Sequence, residues 1–295
     1  MGVSTNSGVN TGWANSRNLA RCVVADVESK ARRSGRFLLC CWVFFLWATA
    51  NPLTEAKPRC TTDRVDDRVS ISHVFDGDTL TVSDGRRVRL IGADAPEMGR
   101  DGNLSEPMAI AARDYLRRLI FSAGQTLELH YDSERQDHYG RTLAHAFLPD
   151  GSNVTARLLE EGYARHLAVP PNLWLADCYK SAAADARAKH LGIWTLEAYR
   201  VRESTQLSPR IRGFNVVAGS VTRLGEGRKN IWINLQGGFA LRIQRSDLRY
   251  FQDWNFSDLV GQRLEAAGWI YQRKGQLRMH VRHPTALRKF AAAAG

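Results

Sequence analysis

Asp76-Gly-Asp-Thr-Leu-Thr-Val-Ser-Asp-Gly-Arg-Arg-Val-Arg-Leu-Ile-Gly-Ala-Asp-Ala-Pro-Glu97 is the stretch on which the reading of this chain turns. Its middle, Thr79–Val82 and Arg86–Ile91, sets β-branched and apolar residues on either side of Ser83-Asp84-Gly85, a hairpin signal. Its ends bring two kinds of charge together. Asp78, Asp94 and Glu97 offer hard oxygens to a cation, and Arg89 lies between them with a planar fork suited to phosphate. A second arginine closes Asp137-His138-Tyr139-Gly140-Arg141. Carboxylates, a metal and two guanidiniums suit phosphodiester hydrolysis, because pentacoordinate phosphorus gathers negative charge that fixed positive groups stabilise.

Taken alone, Asp76-Gly77-Asp78 reads as an ordinary turn, in which aspartate bonds its own backbone and glycine supplies a positive φ. An EF-hand is excluded. Counted from Asp76, the sixth position is Thr81 instead of glycine and the twelfth is Arg87 instead of glutamate. Outward from the hairpin, Val69–Phe75, Gln125–Tyr131 and Thr142–Leu148 bring the strands to five, which suggests a small closed barrel. Three helices are predicted among them. Leu104–Phe121 opens on Ser105-Glu106-Pro107, Asn153–Glu161 is capped by Ser152 or Asn153 and stopped by Gly162, and Asn172–His190 follows Pro170-Pro171 and ends at Gly192.

In this order and at these spacings the motifs resemble the staphylococcal nuclease (thermonuclease) family, from about Val69 to Trp194, where the chain reads Ala-Lys-His-Leu-Gly-Ile-Trp. The resemblance implies a mainly β, α+β fold: an OB-fold barrel of five strands with three helices. It also implies a calcium-dependent nuclease of DNA, RNA or both, in which water attacks the phosphodiester and leaves 3′-phosphate ends. Asp78 and Asp94 match the family's calcium-binding aspartates, and Ala95, where a threonine is common, would give its backbone carbonyl. Asp76 and Thr79 would orient that site. Glu97 matches the candidate general base, and Arg89 and Arg141 match the two arginines that clamp the reacting phosphate. Tyr139 would stack on or bond the substrate. Leu167 and Val169 stand where the best-known members present tyrosines, so weaker base stacking is expected. Two other readings belong to different classes: an OB module that binds or scaffolds nucleic acid without turnover, and a nuclease tethered to a membrane.

The N-terminus bears on that last choice. Lys30-Ala-Arg-Arg-Ser-Gly-Arg36 leads into the apolar run 37–50, which ends Ala-Thr-Ala, the pattern of a secretory signal and of export to the periplasm or beyond the cell. The 29 residues before Lys30 are long for an n-region. The run is shorter than the roughly 20 residues of a spanning helix, and a membrane partner follows only if it stays uncleaved. Cleavage would leave two of the five cysteines, Cys60 and Cys178, either as one disulfide or as two free thiols.

The predicted organisation is a signal region 1–50, a flexible leader 51–68, the nuclease-like region 69–199, a linker 200–210 and a second β region 211–295. The 41 basic residues exceed the 30 acidic ones, and the excess of +11 is concentrated at the C-terminal end, where residues 211–295 carry 14 basic and five acidic groups. There Phe214–Leu224, Asn230–Leu235, Phe239–Ile243, Gln262–Tyr271 and Gln276–Val281 predict a second, smaller OB-like barrel with a short helix at Leu248–Trp254 and no copy of the catalytic motif. Its charge, with Trp232, Phe239, Trp254, Trp269 and Tyr271, suits attraction of phosphate and stacking of bases. Its absence is then expected to leave cleavage of short oligonucleotides intact. His280 and His283 alone are too few ligands for zinc.

Overall fold

Alternating apolar residues build the first sheet. In β1 (Asp67–Val74) the side chains of Val69, Ile71 and Val74 turn inward, with a register shift between Ile71 and His73. β2 (Thr79–Val82), β3 (Arg87–Leu90), β5 (Thr126–His130) and β6 (Thr142–Phe147) join it in a closed barrel of order β1-β2-β3-β6-β5, in which β3 and β6 run parallel. Leu80, Val88, Leu127, Leu129 and Ala144 fill its interior. The remaining elements are β4 (Gly92–Asp94), α1 (Ala109–Ser122), α2 (Val154–Glu160), β7 (Arg165–Leu167) and α3 (Ala176–Ala188), with β4 and β7 pairing as a separate antiparallel ribbon. The computed structural model describes residues 60–290; the signal-like segment 1–50 and residues 51–59 lie outside them.

A second barrel follows. β8 (Val201–Glu203), β9 (Gly213–Glu226), β10 (Asn230–Leu235), β11 (Ala240–Gln244), β12 (Arg263–Arg273), β13 (Gln276–His280) and β14 (Leu287–Lys289) form one sheet, closed where β12 pairs with β9. Its ring runs β9-β10-β11-β13-β12, with β11 and β13 parallel. That is the strand order of the first barrel, and the order of an OB fold.

Four expectations change in detail. The first helix begins at Ala109, not Leu104, because residues 97–106 close on themselves: the Glu106 amide donates to the Glu97 carbonyl at 2.9 Å, and the Glu97 amide donates to Glu106 Oε2 at 3.0 Å. The presumed linker 200–210 supplies β8, which runs parallel to β9. The predicted helix at Leu248–Trp254 is a 3₁₀ segment at Arg245–Tyr250. The last part of the leader is fixed, since Cys60 is disulfide-bonded to Cys178 at a Cα separation of 5.7 Å and the Asp66 amide donates to Leu129 O. The Asn153 cap is as expected, its side chain accepting from the Ala156 amide at 2.9 Å.

The barrels touch through charge as well as apolar surface. Glu265 of β12, almost fully buried, accepts from Arg187 of α3 at 2.7 Å and from Arg288 of β14 at 2.6 Å, and Arg282 donates to the Pro170 carbonyl at 3.1 Å. Among the described residues no helix is long and apolar enough to cross a membrane.

Candidate active site

Gly77 decides how the acidic turn sits. A Cβ there would lie 2.6 Å from Ala95 Cβ and 2.7 Å from Ala112 Cβ, so only glycine lets the turn between β1 and β2 press against α1 and the segment after β4. Close approach, and not the positive φ that the sequence suggested, is its purpose. The turn closes in the ordinary way: the Asp78 amide donates to Asp76 Oδ1 at 3.0 Å. Its outcome is not ordinary, because both aspartates are buried. Asp78 Oδ2 accepts from the Ala95 amide at 2.6 Å, and Asp78 Oδ1 accepts from the Thr79 hydroxyl at 3.1 Å.

Arg89 is the centre of the cluster. Residue 89 faces Thr79 across the β2–β3 pair, and its guanidinium is ion-paired with Asp78 and, at 3.1 Å, with Asp94 Oδ1. Asp94 Oδ2 is taken by Arg165, which lies directly opposite it in the β4–β7 ribbon. Burial lowers both guanidiniums, Arg89 to about 10 against the attraction of Asp76, and Arg165 to about 9, so both stay charged at neutral pH. Burial also pushes the Asp76 carboxyl upward, with Arg89 opposing. Glu97, exposed at the surface, is raised by partial desolvation of its carboxyl and by the charge of Asp76.

Arg141 enters from the neighbouring strand. Thr142 pairs with Val88 and Leu143 with Arg89 in the parallel β3–β6 pair, so residue 141, just before β6, lies level with Arg87 and one step along the same face from Arg89. Asp137 shapes its loop: Oδ2 accepts from Arg141 Nε at 2.7 Å, and Oδ1 accepts from the amides of Tyr139 and Arg141, each at 2.9 Å. Tyr139 is largely exposed, with the Arg141 guanidinium 5.4 Å from its ring centroid and His138 against the ring at 3.7 Å. The fold thus brings Asp76, Asp78, Thr79, Arg89, Asp94 and Ala95 into contact, with Glu97 and Arg141 close enough to act on Arg89 electrostatically. Tyr139 stands outside, joined to the cluster through Asp137 and Arg141.

A family model described as staphylococcal nuclease homologue matches residues 87–196. The chain is 35% identical to a thermonuclease of Staphylococcus intermedius over 139 residues, a span covering 46% of this chain and 81% of that protein. It is 33% identical to a thermonuclease of Staphylococcus hyicus over 129 residues, 42% of this chain and 74% of the other. An SPbeta prophage-derived endonuclease, YokF, of Bacillus subtilis is 32% identical over 136 residues, 44% of this chain and 45% of its own. The chain belongs to the staphylococcal nuclease homologue family.

Against that family's metal dependence, the donors here fit a hard divalent cation. Asp78 and Asp94 supply carboxylate oxygen, and neighbouring carbonyls can complete the set. Among the described residues no three His, Cys, Asp or Glu side chains converge on one point. A set of two carboxylates and a carbonyl does not need them to.

Sequence reasoning overlooked three members of the site. Asp137, four residues before Arg141, was legible as a partner at that spacing. Glu106, which ties the Glu97 loop, was absorbed into a helix. Arg165 left no local signal, because its neighbours Asp94, Phe214 and Trp269 are far away in the chain.

Proposed function

We propose that the first barrel is the catalytic unit of an exported, calcium-dependent nuclease that cleaves DNA, RNA or both and leaves 3′-phosphate ends. Membership of the family supports the coarser statement directly: the chain is a nuclease, a hydrolase of phosphodiester bonds acting on nucleic acid. What supports the finer one is the cluster itself: Arg89, largely withdrawn from water, is ion-paired to both Asp78 and Asp94, so oxygen donors for a cation and a guanidinium for the phosphate share one site.

Asp78, Asp94 and the Ala95 carbonyl would hold the calcium, which when bound supplies positive charge to the phosphate. Arg89 and Arg141 donate to phosphate oxygens, and each is held in place, Arg89 by the barrel wall and Arg141 by Asp137. Glu97 takes the proton of the attacking water from a loop that Glu106 keeps closed. Asp76 and Thr79 fix the orientation of Asp78. The disulfide between Cys60 and Cys178 supports export, since such bonds persist in oxidising compartments.

Purified residues 51–295, assayed on single-stranded DNA and RNA with calcium and with chelator, test the proposal. Cleavage with calcium, none in chelator, and 3′-phosphate ends by end-group analysis are expected. Full activity in chelator would remove calcium from the reaction, and 5′-phosphate ends would overturn the choice of bond.

A further inference from the structure

Arg165 is 5% exposed, yet only one of its three guanidinium nitrogens has a charged partner: Nη2 pairs with Asp94, while Nε and Nη1 have no hydrogen-bond partner. Two aromatic rings of the second barrel hold the rest of the group. The centre of the guanidinium is 3.5 Å from the Phe214 centroid and 4.3 Å from that of Trp269. Phe214 and Trp269 are directly opposite each other where β9 and β12 close the second barrel, with ring centroids 5.7 Å apart. Tyr199 stands 5.3 Å from Phe214, and Trp194 stands 5.6 Å from Tyr199, so the platform continues back to the end of the first barrel's last helix. A guanidinium that forgoes water and most hydrogen bonds to lie on two aromatic faces is fixed in orientation, because the attraction depends on where the charge sits over each ring.

We propose that the second barrel is a working part of the catalytic site: Phe214 and Trp269 clamp Arg165, and Arg165, a positioning residue, sets the carboxylate of Asp94. The proposal rests on the nuclease reading and goes beyond it, since it makes turnover in the first barrel depend on residues of the second. It also reverses the expectation that the C-terminal region is dispensable for short substrates. Two holders divide the Asp94 carboxylate between them: Arg89, inside the first barrel, takes Oδ1, and Arg165, seated on the second, takes Oδ2. Release of the second lets the carboxylate turn about Arg89.

The test uses the whole mature chain and a short single-stranded oligonucleotide. Phe214→Leu, Trp269→Leu and Arg165→Gln should each lower kcat by roughly tenfold to a hundredfold, with KM changed by less than about threefold, the scale expected when a reacting group is misplaced by about 1 Å. Trp269→Phe, which keeps an aromatic face under the guanidinium, should retain most of kcat. In the Arg165→Gln background, Phe214→Leu should have less than about a threefold further effect, because both changes remove one device. Unchanged kcat in the folded aromatic variants, or effects that multiply in the double variant, would overturn the proposal. If a leucine variant does not fold, Arg165→Gln with the second barrel intact decides alone, and unchanged kcat there overturns it. Failure of the wild-type chain to cleave would instead strike the nuclease reading itself.

Discussion

The two barrels share one strand order and differ in what their first hairpin does. In the first, the turn between β1 and β2 is Phe75-Asp-Gly-Asp78, and Gly77 lets two carboxylates pack inside the protein against Arg89. In the second, the corresponding turn is Gly227-Arg-Lys229, whose basic residues are exposed. The same backbone therefore hosts a buried acidic site in one copy and a solvated basic tip in the other. Chemistry on this frame is decided by what one turn can afford to bury, not by strand order.

The aromatics extend the contrast. In the second barrel Phe239 is buried, Trp232 lies under Arg278 at 4.7 Å and Trp254 under Lys289 at 4.4 Å. Trp269 faces Arg165. Phe239 is withdrawn from bases and the three tryptophans each lie against a cation, Trp269 keeping 48% of its surface exposed, which shifts the weight of any nucleic-acid attraction toward the exposed basic groups.

The comparison breaks most visibly at the buried carboxylates. Asp78→Ala should reduce initial rates on single-stranded DNA by about a thousandfold or more, the scale lost with a key transition-state charge partner. Asp247→Asn, an equally buried acid of the second barrel, should leave those rates within about threefold. Equal losses in the two would mean that rate follows stability instead of chemistry.

Stability should respond in both barrels and at their junction. Removing the Cys60–Cys178 bridge, which spans 118 residues, by the paired change to serine should cost ~2–4 kcal/mol in urea unfolding. Glu265→Gln should cost about 2 kcal/mol, below the usual figure for a broken buried pair because Arg187 and Arg288 remain partly exposed to water. A neutral outcome for Glu265→Gln would show that its ion pairs add nothing to the junction.

Acid should weaken both barrels over one window. Burial lowers His166 to about 4, and it lowers His280 to about 4 with Arg242 adding to the effect. Each ring is favoured neutral in the folded state, so its contribution is complete above pH 6.5 and declines as pH falls from about 6.5 to about 4, where the folded form also takes the proton. Urea midpoints measured across that range should fall, and His166→Gln should flatten part of the slope.

The smallest effect concerns the basic tip. Arg228→Ala with Lys229→Ala should flatten the plot of log affinity against log salt by roughly 0.7–0.9 per phosphate contact removed, measured in chelator. An unchanged slope would place the polyanion elsewhere.

Much of this was legible in the sequence, for a physical reason. The strands of both barrels announce themselves by alternation, and Asn230–Leu235 matches its expected bounds residue for residue. Asp78, Arg89 and Asp94 lie within one short stretch, so their meeting needs only one hairpin and one turn. The start of α1 was misread because Ser105-Glu106-Pro107 carries a helix-opening pattern whose groups are instead spent on Glu97 and Gly99. Arg165 could not be read at all: a guanidinium on a three-residue strand looks like a solvated edge until a second barrel covers it.

The central claim is that Glu97, Arg89 and Arg141 act on the reaction and not on capture of the substrate. Kinetics and binding of one oligonucleotide by Glu97→Gln and Arg141→Lys, with kcat taken in calcium and Kd in chelator, test it most directly. The account expects kcat to fall by about a hundredfold or more in each, with Kd within about threefold of wild type. Weakened affinity with turnover kept would contradict it, and would make these side chains docking groups.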